Sequence, residues 1–592
     1  MKKYIFVFFL QFILMPCTLT ANQYPQITNV YNRDTFSLNG KWKFLVDQAE
    51  IGKRRKYWRD KKVDNQSELL EYNFETADAL NVPGDWNSQN DQLLYYEGKI
   101  WYQKDFTFEK KTGKRYFLYF GAANYKSVVY LNGKKLGEHE GGFNPFNFEI
   151  TKQLKDKNSI VVSVDNTRME EQVPTIISDW KNFGGITRDV MIIEENTTFI
   201  RDFKLGLKKG SMNEVELNVW VEGPNKSSNV LLNIPELNVD ESIAVDESGY
   251  GEKVFKLKNI KHWSPENPKL YDVELKINSN PLNDNIGFRN IEVKGTDILL
   301  NGESIFLKGI SLHEESPLTN GRTHSFEEAR MMIDWVKDLG CNYLRLSHYP
   351  HNEHLVRLAE KEGIMLWEEI PVYWDIEWDN PKTYHLAEQM LDDVITRDKN
   401  RAAVVIWSIA NETDISESRN TFLKNLINFT REKDNTRLIS AALLAHRDGK
   451  SRYSRVIDDP FGENADIISV NQYIGWYGSA LPDVIKDIKL DIKFDKPFIF
   501  SEFGAGALGG FHADRMTRWS EEYQEWYYQE TLKMCEGIEK LRGISPWILV
   551  DFQSPRRVLP YYQEGYNRKG LISSEGKKKK AFHVLKNYYE SK

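Results

Sequence analysis

Two glutamates give this 592-residue chain its first chemical suggestion. Val404-Val405-Ile406-Trp407-Ser408-Ile409-Ala410 is a run of β-branched and aromatic residues that predicts a buried strand, and it ends in Asn411-Glu412. Pro497-Phe498-Ile499-Phe500-Ser501 has the same form and ends in Glu502. A carboxylate at the carboxyl end of a buried parallel strand is where (β/α)8 barrels keep their chemistry. Paired carboxyls suit glycoside hydrolysis, one protonated to donate to the leaving oxygen and the other ionised to attack the anomeric carbon. Glu412 is assigned as acid/base and Glu502 as nucleophile, with the Asn411 amide available to a sugar hydroxyl. Carboxyls about 5–5.5 Å apart would retain configuration through a covalent glycosyl-enzyme, and a wider gap would invert it. Either Glu alone could instead be structural, paired for instance with a buried Arg345.

The elements that must position this pair alternate strand and helix from Asp297 onward. Candidate strands are Phe306–His313, Tyr343–Pro350, Met365–Pro371, Val404–Glu412, Arg437–Leu444, Asp466–Tyr473, Pro497–Gly504 and Ile544–Phe552. Helical patterns lie between most of them, at Phe326–Leu339, Leu355–Glu362, Leu391–Lys399 and Tyr523–Leu541, and are weakest on either side of the sixth strand. Eight strands over about 250 residues make a TIM barrel. Polar groups cluster at the strand ends: His313-Glu314-Glu315, Ser347-His348-Tyr349, Glu368-Glu369, Asn411-Glu412, Asn471-Gln472-Tyr473, Glu502, and Trp547 through Asp551. One such residue is more often a loop cap than a catalyst, but seven ends on one rim imply a polar, ring-shaped substrate. The stretch Val372 to Thr383 carries Tyr373, Trp374 and Trp378 but is too short to roof the pocket. An open, aromatic-edged site would suit the end of an oligosaccharide or polysaccharide.

Upstream, the chain divides into three parts. Lys2-Lys3, an apolar run from Tyr4 to Met15 and small residues near Ala21 predict a signal peptide over 1–21. Export to the periplasm or medium is expected, with a lipid anchor at Cys17 as the lesser alternative, Pro16 being a poor neighbour for it. Residues 22–197 show short alternating strands, with Asn132-Gly133 as a two-residue hairpin turn, and predict a jelly-roll β-sandwich. Residues 198–293 predict an immunoglobulin-like β-sandwich, and 294–592 the C-terminal (β/α)8 TIM barrel.

Composition narrows the classes of partner. The net charge of −7 argues against nucleic acid, and no segment is apolar for long enough to span a membrane. After the leader only Cys341 and Cys535 remain, in apolar contexts that predict small buried hydrophobes. No His or Cys cluster has metal-ligand spacing, so no metal or cofactor is expected. Sixteen Trp and 29 Tyr suit stacking on sugar rings, and equally suit sandwich cores. Lys577 to Lys580 predict a solvated face before a last helix, Ala581–Tyr589.

The motifs then resemble family 2 glycoside hydrolases over essentially the whole mature chain. The resemblance rests on Gly287-Phe288-Arg289, Asn301-Gly302, Leu307-Lys308-Gly309, Arg345-Leu346-Ser347-His348-Tyr349-Pro350, Trp407 to Glu412, and Ser501-Glu502-Phe503-Gly504. It implies the same acid/base and nucleophile. Arg401-Ala402 departs from the His-Pro of many members, at the barrel bottom. Asn471-Gln472-Tyr473-Ile474-Gly475-Trp476-Tyr477 and Trp519 to Gln524 are similar to β-glucuronidases in particular. Asn567-Arg568-Lys569 resembles their Asn-x-Lys signature, whose Asn and Lys bind the substrate carboxylate, and Asp179 resembles the jelly-roll residue that reaches the sugar. Added to the rim residues His313, His348, Asn411, Asn471, Tyr473 and Trp547, these give Asp179, Tyr477, Asn567 and Lys569 as expected substrate contacts. The expected partner is a β-linked uronic acid or hexose at a non-reducing end, and the resemblance implies a homo-oligomer. A discriminating cation explains Lys569 physically, since only the uronic acid carries a carboxylate. The alternatives are a β-galactosidase of the same fold, differing in what Asn567 and Lys569 touch, and a carbohydrate-binding protein without catalysis, which the intact Glu pair opposes.

Overall fold

The computed structural model describes residues 25–59, 73–447, 449 and 453–592. The predicted leader, with Cys17, lies outside the described residues. The first β-sandwich packs a six-stranded sheet against a four-stranded one. Its hairpin joins Lys126–Leu131 to Lys134–Glu140 through Asn132 and Gly133, at φ +52° and +76°, the left-handed pair a tight two-residue turn needs. The second sandwich packs three strands on four, alternating inward and outward side chains as in Tyr271–Ile277. Arg289, at its end, donates to the carbonyls of Ala402 and Val404, fastening it to the base of the barrel. Arg401 supports the same joint, pairing with Asp284 of the sandwich and with Glu360 at 2.9 Å.

The barrel closes in the order Leu307–Leu312, Tyr343–Leu346, Met365–Glu369, Val404–Asn411, Leu438–Leu443, Ile468–Asn471, Phe498–Glu502 and Leu541–Ile544. Seven of these fall inside the expected segments. The eighth strand does not: Leu541–Ile544 pairs with Leu307–Lys308 and Phe498–Phe500, upstream of most of the expected Ile544–Phe552. The apolar run Trp547–Val550 is instead buried above the barrel, where the Leu549 N–H donates to the Ser311 carbonyl. Burial alone made it look like a strand, because periodicity cannot separate two kinds of buried segment. The helix between strands three and four starts earlier than expected, at Pro381, where Asn380 caps it through the Lys382 N–H. On either side of the sixth strand lie 3-10 turns and short strands, consistent with the weak helical pattern there.

The lysine run is not the uniformly solvated face expected. Lys579 is buried and its amine lies 2.8 Å from Asp551, while Asp551 also accepts from the Gly570 N–H. Asp551 therefore pins the C-terminal segment to the barrel and is not part of the mouth. The lysines beside it, Lys577, Lys578 and Lys580, are exposed as expected. Cys341 and Cys535 are both free and buried, and burial holds both thiols well above their ordinary pKa.

Candidate active site

Glu412 follows the fourth barrel strand with φ of +50°. Its Oε1 accepts from Asn471 Nδ2 at 2.9 Å and its Oε2 from Trp374 Nε1 at 2.8 Å. Trp374 has φ of +58°, and its N–H donates to the Asn411 carbonyl. Two non-glycine residues in the left-handed region thus meet across one hydrogen bond, each carrying strain of about 1–3 kcal/mol. Burial raises the Glu412 pKa, the nearby Glu502 charge raises it further, and the bonds from Trp374 and Asn471 only partly oppose this. A carboxyl biased toward its protonated form is what an acid needs.

Glu502 ends the seventh strand under different influences. Its Oε1 accepts from Arg345 Nη1 at 2.6 Å and its Oε2 from the Tyr473 hydroxyl at 2.6 Å. Arg345 is wholly buried, and its Nη2 donates to Glu369 Oε1 at 3.0 Å and to Asn411 Oδ1 at 2.8 Å. His348 Nδ1 donates to Glu369 at 2.6 Å, and its Nε2 lies 3.9 Å from Glu502. Burial would raise the Glu369 pKa, but the Arg345 charge and the His348 bond overcome it and bring it to about 2. Glu369 thus shares the Arg345 charge with Glu502. The pairing with Arg345 considered for a structural glutamate is present, yet Glu502 also faces Tyr473 and the field of Glu412.

Aromatic rings wall this pair. Trp547 stacks on His348 with centroids 4.9 Å apart, and His313 stands edge-on to Trp547 at 5.2 Å. Burial and the neighbouring His348 hold His313 well below its ordinary pKa, so it is neutral, and its Nδ1 meets the Tyr349 hydroxyl. Two buried polar atoms here, His313 Nε2 and Asn411 Nδ2, have no partner among the described residues. Buried polar groups are normally satisfied, so both are available to a ligand.

The first domain reaches the mouth through Asp179. Its Oδ1 accepts from Ser554 Oγ at 2.7 Å and Arg557 Nε at 3.0 Å, and Asn567 Nδ2 approaches Oδ2 at 3.3 Å. Beside it Lys569 is only 4 % exposed. Its amine donates to the Tyr477 hydroxyl at 2.9 Å, approaches Asn567 Oδ1 at 3.5 Å, and lies over the rings of Tyr473 and Tyr477. Among the described residues no carboxylate pairs with it. It borders a cavity of about 250 Å³ that Tyr477, Arg557 and Asn567 also line. Tyr477 forms the outer edge, half exposed.

All twelve expected site residues therefore lie around one mouth. Glu314, Glu315, Glu368 and Gln472, which shared the polar strand ends, do not. Glu314 binds Arg188 and Arg322 and joins the first domain to the barrel, and Gln472 turns back on the Ile474 N–H. Glu315 accepts from the Gln553 N–H, its pKa pushed up to about 8 by burial. Arg557 also borders the mouth, and nothing in its local sequence marks it. The sole signal was that a loop from Val550 to Asn567 has to pass the mouth.

Residues 35–196 match the sugar binding domain of glycosyl hydrolases family 2, residues 198–289 the family 2 model, and residues 291–592 its TIM barrel domain. The chain belongs to glycosyl hydrolases family 2. It is similar to a beta-glucuronidase of Paenibacillus borealis, 26% identical over 613 residues that cover 94% of this chain and 96% of that protein. The Homo sapiens beta-glucuronidase is 25% identical over 633 residues, covering 96% and 92%. Among solved structures, Bifidobacterium dentium beta-glucuronidase complexed with coumarin-3-O-glucuronide superposes with a TM-score of 0.82 at 25% identity, covering 96% of this chain and 98% of that one. As a family 2 member the chain is a glycoside hydrolase, with its polar rim at the carboxyl ends of the barrel strands.

Proposed function

We propose that this glycoside hydrolase is a β-glucuronidase, releasing terminal β-D-glucuronic acid from oligosaccharides or polysaccharide fragments with retention of configuration. The observation that carries the substrate is Lys569: a buried cation whose hydrogen-bond partners, Tyr477 and Asn567, are both neutral. A buried charge is costly unless paired, so the missing partner belongs to the ligand, and the uronic carboxylate is that partner. The likeness to beta-glucuronidases over nearly the whole chain supports the same substrate.

Glu502 attacks the anomeric carbon while Glu412 donates its proton to the glycosidic oxygen, and the C–O bond breaks with the electron pair leaving on that oxygen. Glu412, now ionised, removes a proton from water, which displaces Glu502 from the anomeric carbon and releases glucuronic acid. Arg345 and Tyr473 supply countercharge and a hydrogen bond to the attacking carboxylate, and the burial of Glu412 biases it toward its protonated form. Asn411 Nδ2, which has no partner among the described residues, bonds a ring hydroxyl beside the reacting carbon.

Hydrolysis of 4-nitrophenyl β-D-glucuronide against the matching β-D-galactoside tests this. A preference for the glucuronide is expected. A galactoside preference would transfer the assignment to β-galactosidase, and hydrolysis of no glycoside would favour a binding protein. Export through the segment 1–21 belongs to the proposal, and N-terminal sequencing of exported protein is expected to begin near residue 22.

A further inference from the structure

We propose that the leaving-group side of this cleft is a subsite for an anionic sugar, one bearing a carboxylate or a sulfate ester, and that Arg556 recognises the anion. The proposal rests on Glu412 being the acid. The leaving oxygen must meet the Glu412 carboxyl, so the departing sugar lies beside Trp374, whose indole N–H holds Glu412 Oε2 at 2.8 Å. Arg556 sits over that indole, its guanidinium 5.1 Å from the ring centroid. A guanidinium stacked on an aromatic face keeps its N–H edges free for a planar oxyanion.

Three features separate Arg556 from an ordinary surface arginine. First, among the described residues it has no carboxylate partner, whereas the adjacent Arg557 is paired to Asp179. The two neighbours therefore differ in partner, Arg557 being held by Asp179 and Arg556 resting on Trp374. Second, its loop is anchored: Ser554 Oγ donates to Asp179 and accepts from the Arg556 N–H at 3.3 Å, and the Arg557 N–H donates to the Ser554 carbonyl. Third, the residue beneath it is held twice, its backbone N–H by the Asn411 carbonyl and its indole N–H by Glu412 Oε2, so the cation stands at a set place relative to the reacting carboxyl. Lys569 then answers the anion of the sugar being released, and Arg556 the anion of the sugar left behind. A polysaccharide end whose last two sugars both bear a carboxylate or sulfate carries both. Arginine suits this place better than lysine because carboxylate and sulfate both present paired oxygens.

The test compares wild type, Arg556→Gln and Arg556→Lys on β-glucuronyl disaccharides whose second sugar is neutral, carboxylated or sulfated. Wild type is expected to prefer an anionic second sugar. In Arg556→Gln the ratio of kcat/KM for that substrate to kcat/KM for the neutral disaccharide falls about tenfold or more, the size of one charge-assisted hydrogen bond. Arg556→Lys recovers part of the ratio. A fall with the sulfated sugar alone names sulfate as the anion, and with the carboxylated one alone names carboxylate. An unchanged ratio for both, or a wild type that prefers the neutral acceptor, overturns the proposal. Failure of wild type on the 4-nitrophenyl glucuronide would instead reject the glucuronidase reading. In that case calorimetry with the anionic monosaccharide alone still decides whether Arg556 binds it, and equal binding by wild type and Arg556→Gln overturns the subsite.

Discussion

Lys569→Met separates a ligand-binding lysine from a structural one, because the two roles predict opposite changes. Methionine is close to lysine in length and apolar stem, and it removes the amine that lies over the rings of Tyr473 and Tyr477. A lost hydrogen bond between charged groups is worth about 1.5–3 kcal/mol, and each 1.36 kcal/mol is tenfold, so kcat/KM for a glucuronide should fall roughly 10- to 150-fold. The matching glucoside or galactoside, which has no carboxylate, should lose little and gain relative to the glucuronide. Stability should move the other way. The unliganded protein sheds a buried cation that lacks a charged partner, so its Tm should hold or rise. Paired steady-state assays and thermal unfolding of the same preparations measure both. A lower Tm together with equal losses on charged and neutral substrates would refute the assignment and make Lys569 a support for the loop.

Other perturbations test the acid and its surroundings. Activity needs protonated Glu412, so it should fall as pH rises through the Glu412 pKa, which lies above the ordinary carboxylate value. Trp374→Phe removes a bond that lowers this pKa and should shift the alkaline limb of kcat/KM upward, whereas Glu502→Gln removes a charge that raises it, so carboxyl NMR should find Glu412 titrating lower. Glu412→Ala should slow phenyl glucuronides with poor leaving groups far more than dinitrophenyl ones, which leave without a proton; equal losses would contradict its role. Arg345→Met strands the buried Glu369 and Glu502 carboxyls and should cost about 3–5 kcal/mol in denaturant unfolding. Glu369, depressed to about 2, contributes stability that is fully present above its unfolded value near 4.3, and this should drain away as pH falls toward 2; the acid limb of a Tm–pH curve should flatten in Glu369→Gln.

The barrel and its paired carboxyls were legible because both follow local rules. A buried β-branched run ending in a glutamate is visible without knowing what lies across the barrel, and Val404 to Glu412 and Phe498 to Glu502 kept their places. What was hidden depends on contacts distant in sequence. Lys579 resembles its three exposed neighbours until Asp551, 28 residues away, is placed against it. Arg557 becomes part of the site only because Asp179, 378 residues upstream, crosses from another domain. Trp374 showed as an aromatic edge, but its left-handed backbone and its bond to Glu412 arise from the Asn411 carbonyl that turns it. The eighth strand slipped because Trp547–Val550 is as apolar as a barrel strand while serving the wall of the mouth.

If Glu502 is the nucleophile, it forms the covalent intermediate of a uronic acid substrate. Incubation with a 2-deoxy-2-fluoro-β-D-glucuronyl fluoride, which slows the second displacement, followed by peptide mass spectrometry, addresses both halves at once. Time-dependent inactivation should leave one fluoroglucuronyl adduct on the peptide containing Glu502, and the matching galactosyl reagent should label far more slowly. No adduct, or one carried on Glu412, would contradict the mechanism, and faster labelling by the galactosyl reagent would contradict the substrate.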